Sequence, residues 1–123
     1  MRKKTIFITG AGAGIGAATA RLFAEAGWQV GLFDRDFAAV TQLAREIGHD
    51  RAMAGSLDVS NTKQWHSALD GFVQWAGQLD VLLNNAGILY SGAFENTSLE
   101  DHNRTIQVNV NGVLNGCHSG FEH

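Results

Sequence analysis

The stretch whose residue types and spacing most directly imply chemistry is Thr9-Gly10-Ala11-Gly12-Ala13-Gly14-Ile15-Gly16. It follows an apolar, β-branched run, Thr5-Ile6-Phe7-Ile8, and opens an alanine-rich helical stretch from Ala17 to Ala26. A glycine-rich turn between a strand and a helix is a phosphate-binding device. Glycine permits φ > 0 and lets the backbone approach an anion closely. The new helix then offers unpaired N–H groups and its positive dipole end. The dipole contributes only about 0.3–1 kcal/mol at an exposed site, so converging amides must supply the rest. The spacing is Gly-x-x-x-Gly-x-Gly (Gly10, Gly14, Gly16), with Ile15 at the last position of the plain G-x-G-x-x-G pattern.

Three later strand ends carry distinctive residues: Asp34, Asp58 and Asn84-Asn85-Ala86-Gly87. Open α/β sheets bind ligands at such ends. Asp34 follows Gly10 by 24 residues, near the offset of an acid that accepts hydrogen bonds from an adenosine ribose. Each aspartate alone reads as a cap for the next helix; taken with the loop, both read as ligand contacts. A carboxylate at Asp34 would oppose the 2′-phosphate of NADP, at a cost on the order of a few kcal/mol. Ala13 fills the middle of the loop, which holds no Lys or Arg, and Arg35 is the one cation that could swing over a 2′-phosphate. NAD is therefore the expected cofactor.

Other constellations are weaker. The five histidines show no i, i+4 pair and no carboxylate arranged for zinc. Cys117, His118 and His123 read as a solvated terminal turn, so no metal is expected. No Ser/His/Asp order is legible. Glu95, Glu100 and Asp101 suit a loop and a helix N-terminus.

The elements that must position these residues alternate between strand-like and helix-like, which predicts a parallel α/β sheet. The first strand spans Thr5–Thr9, and its helix has Ile15, Leu22, Phe23 and Ala26 on one apolar face, with Gly27 as the stop. A second strand over Gln29–Phe33 ends in Asp34. Phe37, Val40, Leu43, Ala44 and Ile47 then recur at helical spacing, and Gly48 ends that helix. A weaker strand covers Arg51–Leu57. Ser60 or Asn61 can cap a helix that buries Trp65, Leu69, Phe72, Val73 and Ala76. The fourth strand, Asp80–Leu83, is continuously apolar through Val81-Leu82-Leu83, as in a central parallel strand. A loop through Ser91-Gly92 leads to one last helix from Leu99 onward. No proline, repeat, low-complexity tract or interior linker interrupts the chain.

Composition sets the outer limits. The 123 residues suffice for one domain with a real core. With 45% hydrophobic and 17% charged residues, the chain is globular in composition rather than disordered. A net charge of −3, with no basic run beyond Arg2-Lys3-Lys4, argues against nucleic-acid binding. One cysteine excludes an internal disulfide and suits a reducing compartment. The apolar run after Arg2-Lys3-Lys4 is too short for a signal peptide, and none is long enough to span a membrane. A cytoplasmic location follows as the expectation.

Thr9-Gly-x-x-x-Gly-Ile-Gly16, Asp34, Asp58-Val59, Asn84-Asn-Ala-Gly87 and Val108-Asn109-Val-Asn-Gly112 together resemble the short-chain dehydrogenase/reductase family. Five motifs stand in family order over nearly the whole chain. The resemblance implies a Rossmann-like, doubly wound parallel sheet, incomplete here, with about four strands in the order 3-2-1-4. It places Gly10, Ala13, Gly14, Ile15 and Gly16 around a pyrophosphate, Asp34 on the adenosine ribose, and Asp58 and Val59 beside the adenine. Asn85, Ala86 and Gly87 would line the inner ribose, Val108 would join the cofactor shell, and Asn109 would hold a proton-relay water. His102 stands where many relatives carry tryptophan, and an exposed helix start is expected there. The family's catalytic serine and Tyr-x-x-x-Lys pair are missing, since the only tyrosine, Tyr90, has Phe94 four residues later. Residues 1–123 thus read as a single NAD-binding Rossmann-type domain, truncated before those residues. The intact protein would transfer hydride between a nicotinamide and an alcohol or carbonyl substrate, as a homo-oligomer. A non-catalytic dinucleotide-binding or interaction module is the alternative; a methyltransferase fits the two asparagine motifs poorly. An unpaired fourth strand and uncovered Val110, Val113 and Leu114 predict self-association.

Overall fold

The computed structural model describes residues 2–90 and 92–123. Strand β1 (Thr5–Thr9) is buried at every position, which its apolar and β-branched run allows. It pairs in parallel with β2 (Gln29–Asp34) and, on its other side, with β4 (Val81–Leu83). Strand β3 (Ala52–Ser56) extends the parallel sheet beyond β2, so the order is β3-β2-β1-β4, as expected. Among the described residues, five α-helices accompany the sheet: α1 (Gly14–Glu25), α2 (Phe37–Ile47), α3 (Thr62–Ala76), α4 (Leu99–Ile106) and α5 (Gly112–Phe121).

The period-2 alternation of β1 divides the core. Ile6 and Ile8 face Ala20 and Ala24 of α1 and Val40, Leu43 and Ala44 of α2. Phe7 faces the other way, among Trp65, Leu69 and Phe72 of α3. Its ring stacks on Phe33 at 4.1 Å and meets Phe72 edge-on at 5.4 Å. Gly31 and Gly55 make this aromatic layer possible. A Cβ on Gly31 would lie 2.6 Å from the Phe72 ring, and one on Gly55 would strike Phe33.

Several expected details change. Ile15 and Leu22 are 77% and 66% exposed, and α1 instead buries Gly16, Ala20 and Ala24. Small side chains let that helix lie close to the sheet, which turns its larger residues outward. Phe37 is exposed at the start of α2, and Val73 and Ala76 are half-buried. Asn61, not Ser60, caps α3 by accepting from the Gln64 amide at 3.0 Å. Strand β4, whose apolar run would suit a central strand, lies at the sheet edge as the order 3-2-1-4 implies, with Val81 exposed. The single last helix is three segments: α4, a π-helical stretch Gln107–Asn111, and α5. A 3₁₀ turn, Phe94–Asn96, precedes them. His102 is not at an exposed helix start: its ring stacks on Phe94 at 4.5 Å, and Nε2 is buried without a partner. Of the predicted Ser91-Gly92 loop, Ser91 lies outside the described residues.

Candidate functional site

Beyond the C-terminal ends of the four strands lies a cavity of about 360 Å³. Ten residues expected from the sequence to contact a cofactor line it: Gly10, Ala13, Gly14, Asp34, Asp58, Val59, Asn85, Ala86, Gly87 and Val108. Arg35, Leu57 and Ile88 complete the wall. Ile15, Gly16 and Asn109 do not line it.

The loop after β1 is shaped by close approach. Gly10 and Gly14 adopt φ of 66° and 56°, in the left-handed region. A Cβ on Gly16 would collide with the Gly10 carbonyl oxygen and lie 2.7 Å from the Asn85 carboxamide nitrogen. Gly16 is therefore a packing glycine beneath the loop, and Gly14 opens into free space. At the start of α1, Ala13 gives no side-chain cap, and the first turn holds no acid. By contrast α2, α3 and α4 are capped by Asp36, Asn61 and Ser98. The amides of α1 are thus left for an anion in the cavity, and the residues present fit a dinucleotide phosphate.

Asp34 and Asp58 cap no helix. Asp34 Oδ2 accepts from the Gly12 amide and Oδ1 from the Asp36 amide, both at 2.9 Å. One bond per oxygen holds the carboxylate still and leaves acceptor capacity on each. Asp58 Oδ1 accepts from the Ser60 amide at 3.0 Å and the Ser60 hydroxyl at 2.7 Å. Partial burial disfavours its charge, but the two Ser60 bonds and the Arg104 guanidinium outweigh that, holding the carboxyl below its ordinary pKa. Beside it, Val59 carbonyl accepts from Trp65 Nε1 at 2.8 Å and Asn115 Nδ2 at 3.0 Å.

Thr9 ties the wall together. Its hydroxyl oxygen accepts from the Asn85 and Ala86 amides, each at 3.0 Å, and Asn85 Nδ2 donates to Gly10 carbonyl at 3.2 Å. The carboxamide of Asn85 therefore braces the glycine loop. Asn109 braces the next stretch of wall in the same way. Its Oδ1 accepts from the Ile88 amide and Nδ2 donates to the Ile88 carbonyl, both at 2.8 Å. It sits within the π-helical turn, next to buried Val108, a type of distortion frequent at functional sites.

Thr9 opens the glycine stretch but was given no role in the site, and Ser60 and Arg104 escaped the sequence reading of it. Thr9 had a signal, a hydroxyl ending an apolar strand, and Asp58-x-Ser60 is an Asx-turn spacing. Arg104 had none, lying 46 residues from Asp58. Among the described residues no three His, Cys, Asp or Glu side chains gather where a metal could bind. No described helix is long and apolar enough to cross a membrane.

The model for "short chain dehydrogenase" matches residues 4–123. A 3-beta-hydroxysteroid dehydrogenase of Comamonas testosteroni is 36% identical over 121 residues, covering 98% of this chain and 47% of that protein. A meso-2,3-butanediol dehydrogenase of Serratia marcescens is 39% identical over 111 residues, covering 90% of this chain and 44% of that one. Among solved structures, a 3-ketoacyl-(acyl-carrier-protein) reductase from Brucella melitensis complexed with NADH superposes with a TM-score of 0.95 at 36% identity. That match covers 99% of this chain and 50% of the other. The chain thus spans about half the length of these relatives. With the family model matching from Lys4 to the last residue, the chain belongs to the short-chain dehydrogenase family of oxidoreductases.

Proposed function

We propose that this chain holds NAD in the strand-end cavity and forms the cofactor-binding part of an oxidoreductase acting on alcohol or carbonyl groups. One observation carries the reading: the uncapped start of α1 and the braced Asp34 carboxylate open into the same cavity. The first meets a pyrophosphate through amides, and the second accepts from ribose hydroxyls. Asp58 Oδ2, held only by a 3.4 Å contact to Arg104, keeps acceptor capacity suited to the amino group of adenine. Asn109 and Thr9 act one step back, fixing Ile88 and Asn85-Ala86 along the inner ribose. A bound nicotinamide would supply the hydride chemistry, and the protein orients it. A relay water on Asn109 has to share a carboxamide already committed to Ile88.

Asp34 favours NAD over NADP by charge, with Arg35 as the opposing cation in the same wall. The sequence holds no Tyr-x-x-x-Lys pair, so the 123 residues by themselves bind without turnover. A cytoplasmic setting suits the free, exposed Cys117.

Calorimetry with NAD, NADP and S-adenosylmethionine tests the reading. NAD should bind at least about tenfold tighter than NADP, a difference of about 1.4 kcal/mol, and Asp34→Ser should narrow that gap. Preference for S-adenosylmethionine would overturn the oxidoreductase reading. Reduction of NAD by the chain with any alcohol would overturn the claim of binding without turnover.

A further inference from the structure

We propose that Arg104 is a positioning residue for Asp58, fixing from outside the cavity the acceptor by which the site selects an amino-bearing purine. The inference rests on the dinucleotide reading above. Arg104 lies on α4 and lines the neighbouring groove with Glu100, Asp101 and Gln107, not the cavity itself. Its Nη1 donates to Ser60 Oγ at 2.9 Å, and Nη2 lies 3.4 Å from both oxygens of Asp58. The Ser60 hydroxyl passes the constraint on, donating in turn to Asp58 Oδ1 at 2.7 Å. Oδ1 is thereby occupied by short bonds, whereas Oδ2 has only the long guanidinium contact.

That division of labour orients the carboxylate. Oδ1 is anchored by the Ser60 bonds, and Oδ2 keeps acceptor capacity on a residue that lines the cavity. Arg104 and Asp58 side chains are only 24% and 27% exposed, so the pair is better shielded than an ordinary surface ion pair. An anchored anionic acceptor favours a purine with an exocyclic amino group. It disfavours hypoxanthine, whose oxo group would bring two acceptors together. Arg104 reaches the ligand only through Asp58 and Ser60, so its removal should alter selectivity more than general affinity.

The test is calorimetric titration of the full chain and its variants with NAD and with the hypoxanthine analogue of NAD. The unmodified chain should prefer NAD by about tenfold or more. Arg104→Gln should cut that preference by about threefold to tenfold through weaker NAD binding, leaving the analogue within about twofold. Ser60→Ala removes the relay without touching either charge, and should shift the ratio in the same direction by less. It decides the matter if Arg104→Gln does not fold by circular dichroism. Equal weakening of both ligands, or an unchanged ratio, would show a structural role only and overturn the inference. An unmodified chain that binds both equally overturns it alone, whereas one that binds neither overturns the dinucleotide reading with it.

Discussion

Single atoms decide much of this site. The Thr9 hydroxyl accepts two amides from the loop after β4, and a methyl group in its place leaves both unpaired. Thr9→Val, nearly isosteric, should therefore lower stability by about 1–3 kcal/mol and weaken NAD binding, read by urea unfolding and calorimetry. Gly16→Ala acts from the other side of the same contact. Its Cβ would displace the Gly10 carbonyl and the Asn85 carboxamide. A cost of about 1–3 kcal/mol is expected for such overpacking, together with loss of phosphate binding. If Gly16→Ala unfolds at the same urea concentration as the parent, the close packing beneath the loop is wrong. Gly10, Gly14, Asp34 and Asp58 could be picked from the sequence because their residue types are unusual at strand ends. Thr9 and Asn109 act through hydrogen bonds to residues 76 and 21 positions away, which no local pattern encodes.

Helices add pH sensitivity of two opposite signs. His123, following α5, bonds Asp70 of α3 through Nε2 at 2.8 Å and the Ser119 carbonyl through Nδ1 at 2.9 Å. The Asp70 bond first, and the Ser119 carbonyl second, raise its pKa above the ordinary histidine value. A raised histidine stabilises the fold fully below its unfolded pKa and loses that contribution as pH rises through the folded one. Asp58, with its lowered pKa, stabilises the fold above the ordinary carboxylate range and loses that as pH falls through its folded value. Urea midpoints should therefore fall as pH climbs past the ordinary histidine range, and His123→Asn should flatten that limb. A limb equally steep in the variant would rule out the α3–α5 link as its source. The end of α2 and the start of α3 were legible because Gly48 and Asn61 are strong local signals. The π-helical turn was not, since no local pattern marks it; within it Val108 is buried and Asn109 bonds Ile88.

Across the whole molecule, burial is uneven. Ile106, Val110, Leu114 and Phe121 are all exposed, and β4 beside them is a free sheet edge. Exposed apolar stripes and open edges promote association. Light scattering of the chain should show mass rising with concentration, and Val110→Lys with Leu114→Lys should reduce it. A monomer at every concentration would remove this expectation. The parallel sheet was foreseeable from the alternation of elements, and its strand order from the family resemblance. The face that α1 buries was not, because apolar spacing favoured Ile15 and Leu22 over the small residues that permit close packing.

The sequence alone determined the kind of protein: a parallel α/β sheet whose strand ends carry a glycine turn and two acids. Those features are written in local residue types, and local stereochemistry governs turns, strands and helix starts. Only the tertiary structure decided how the site is held. It showed that Asp34 and Asp58 brace turns rather than cap helices, and that Asn85 and Asn109 support the wall with their carboxamides. It also brought Arg104 to Asp58 across 46 residues. Such contacts depend on the sheet order and on the path of α4, and they exist only once the chain has closed on itself.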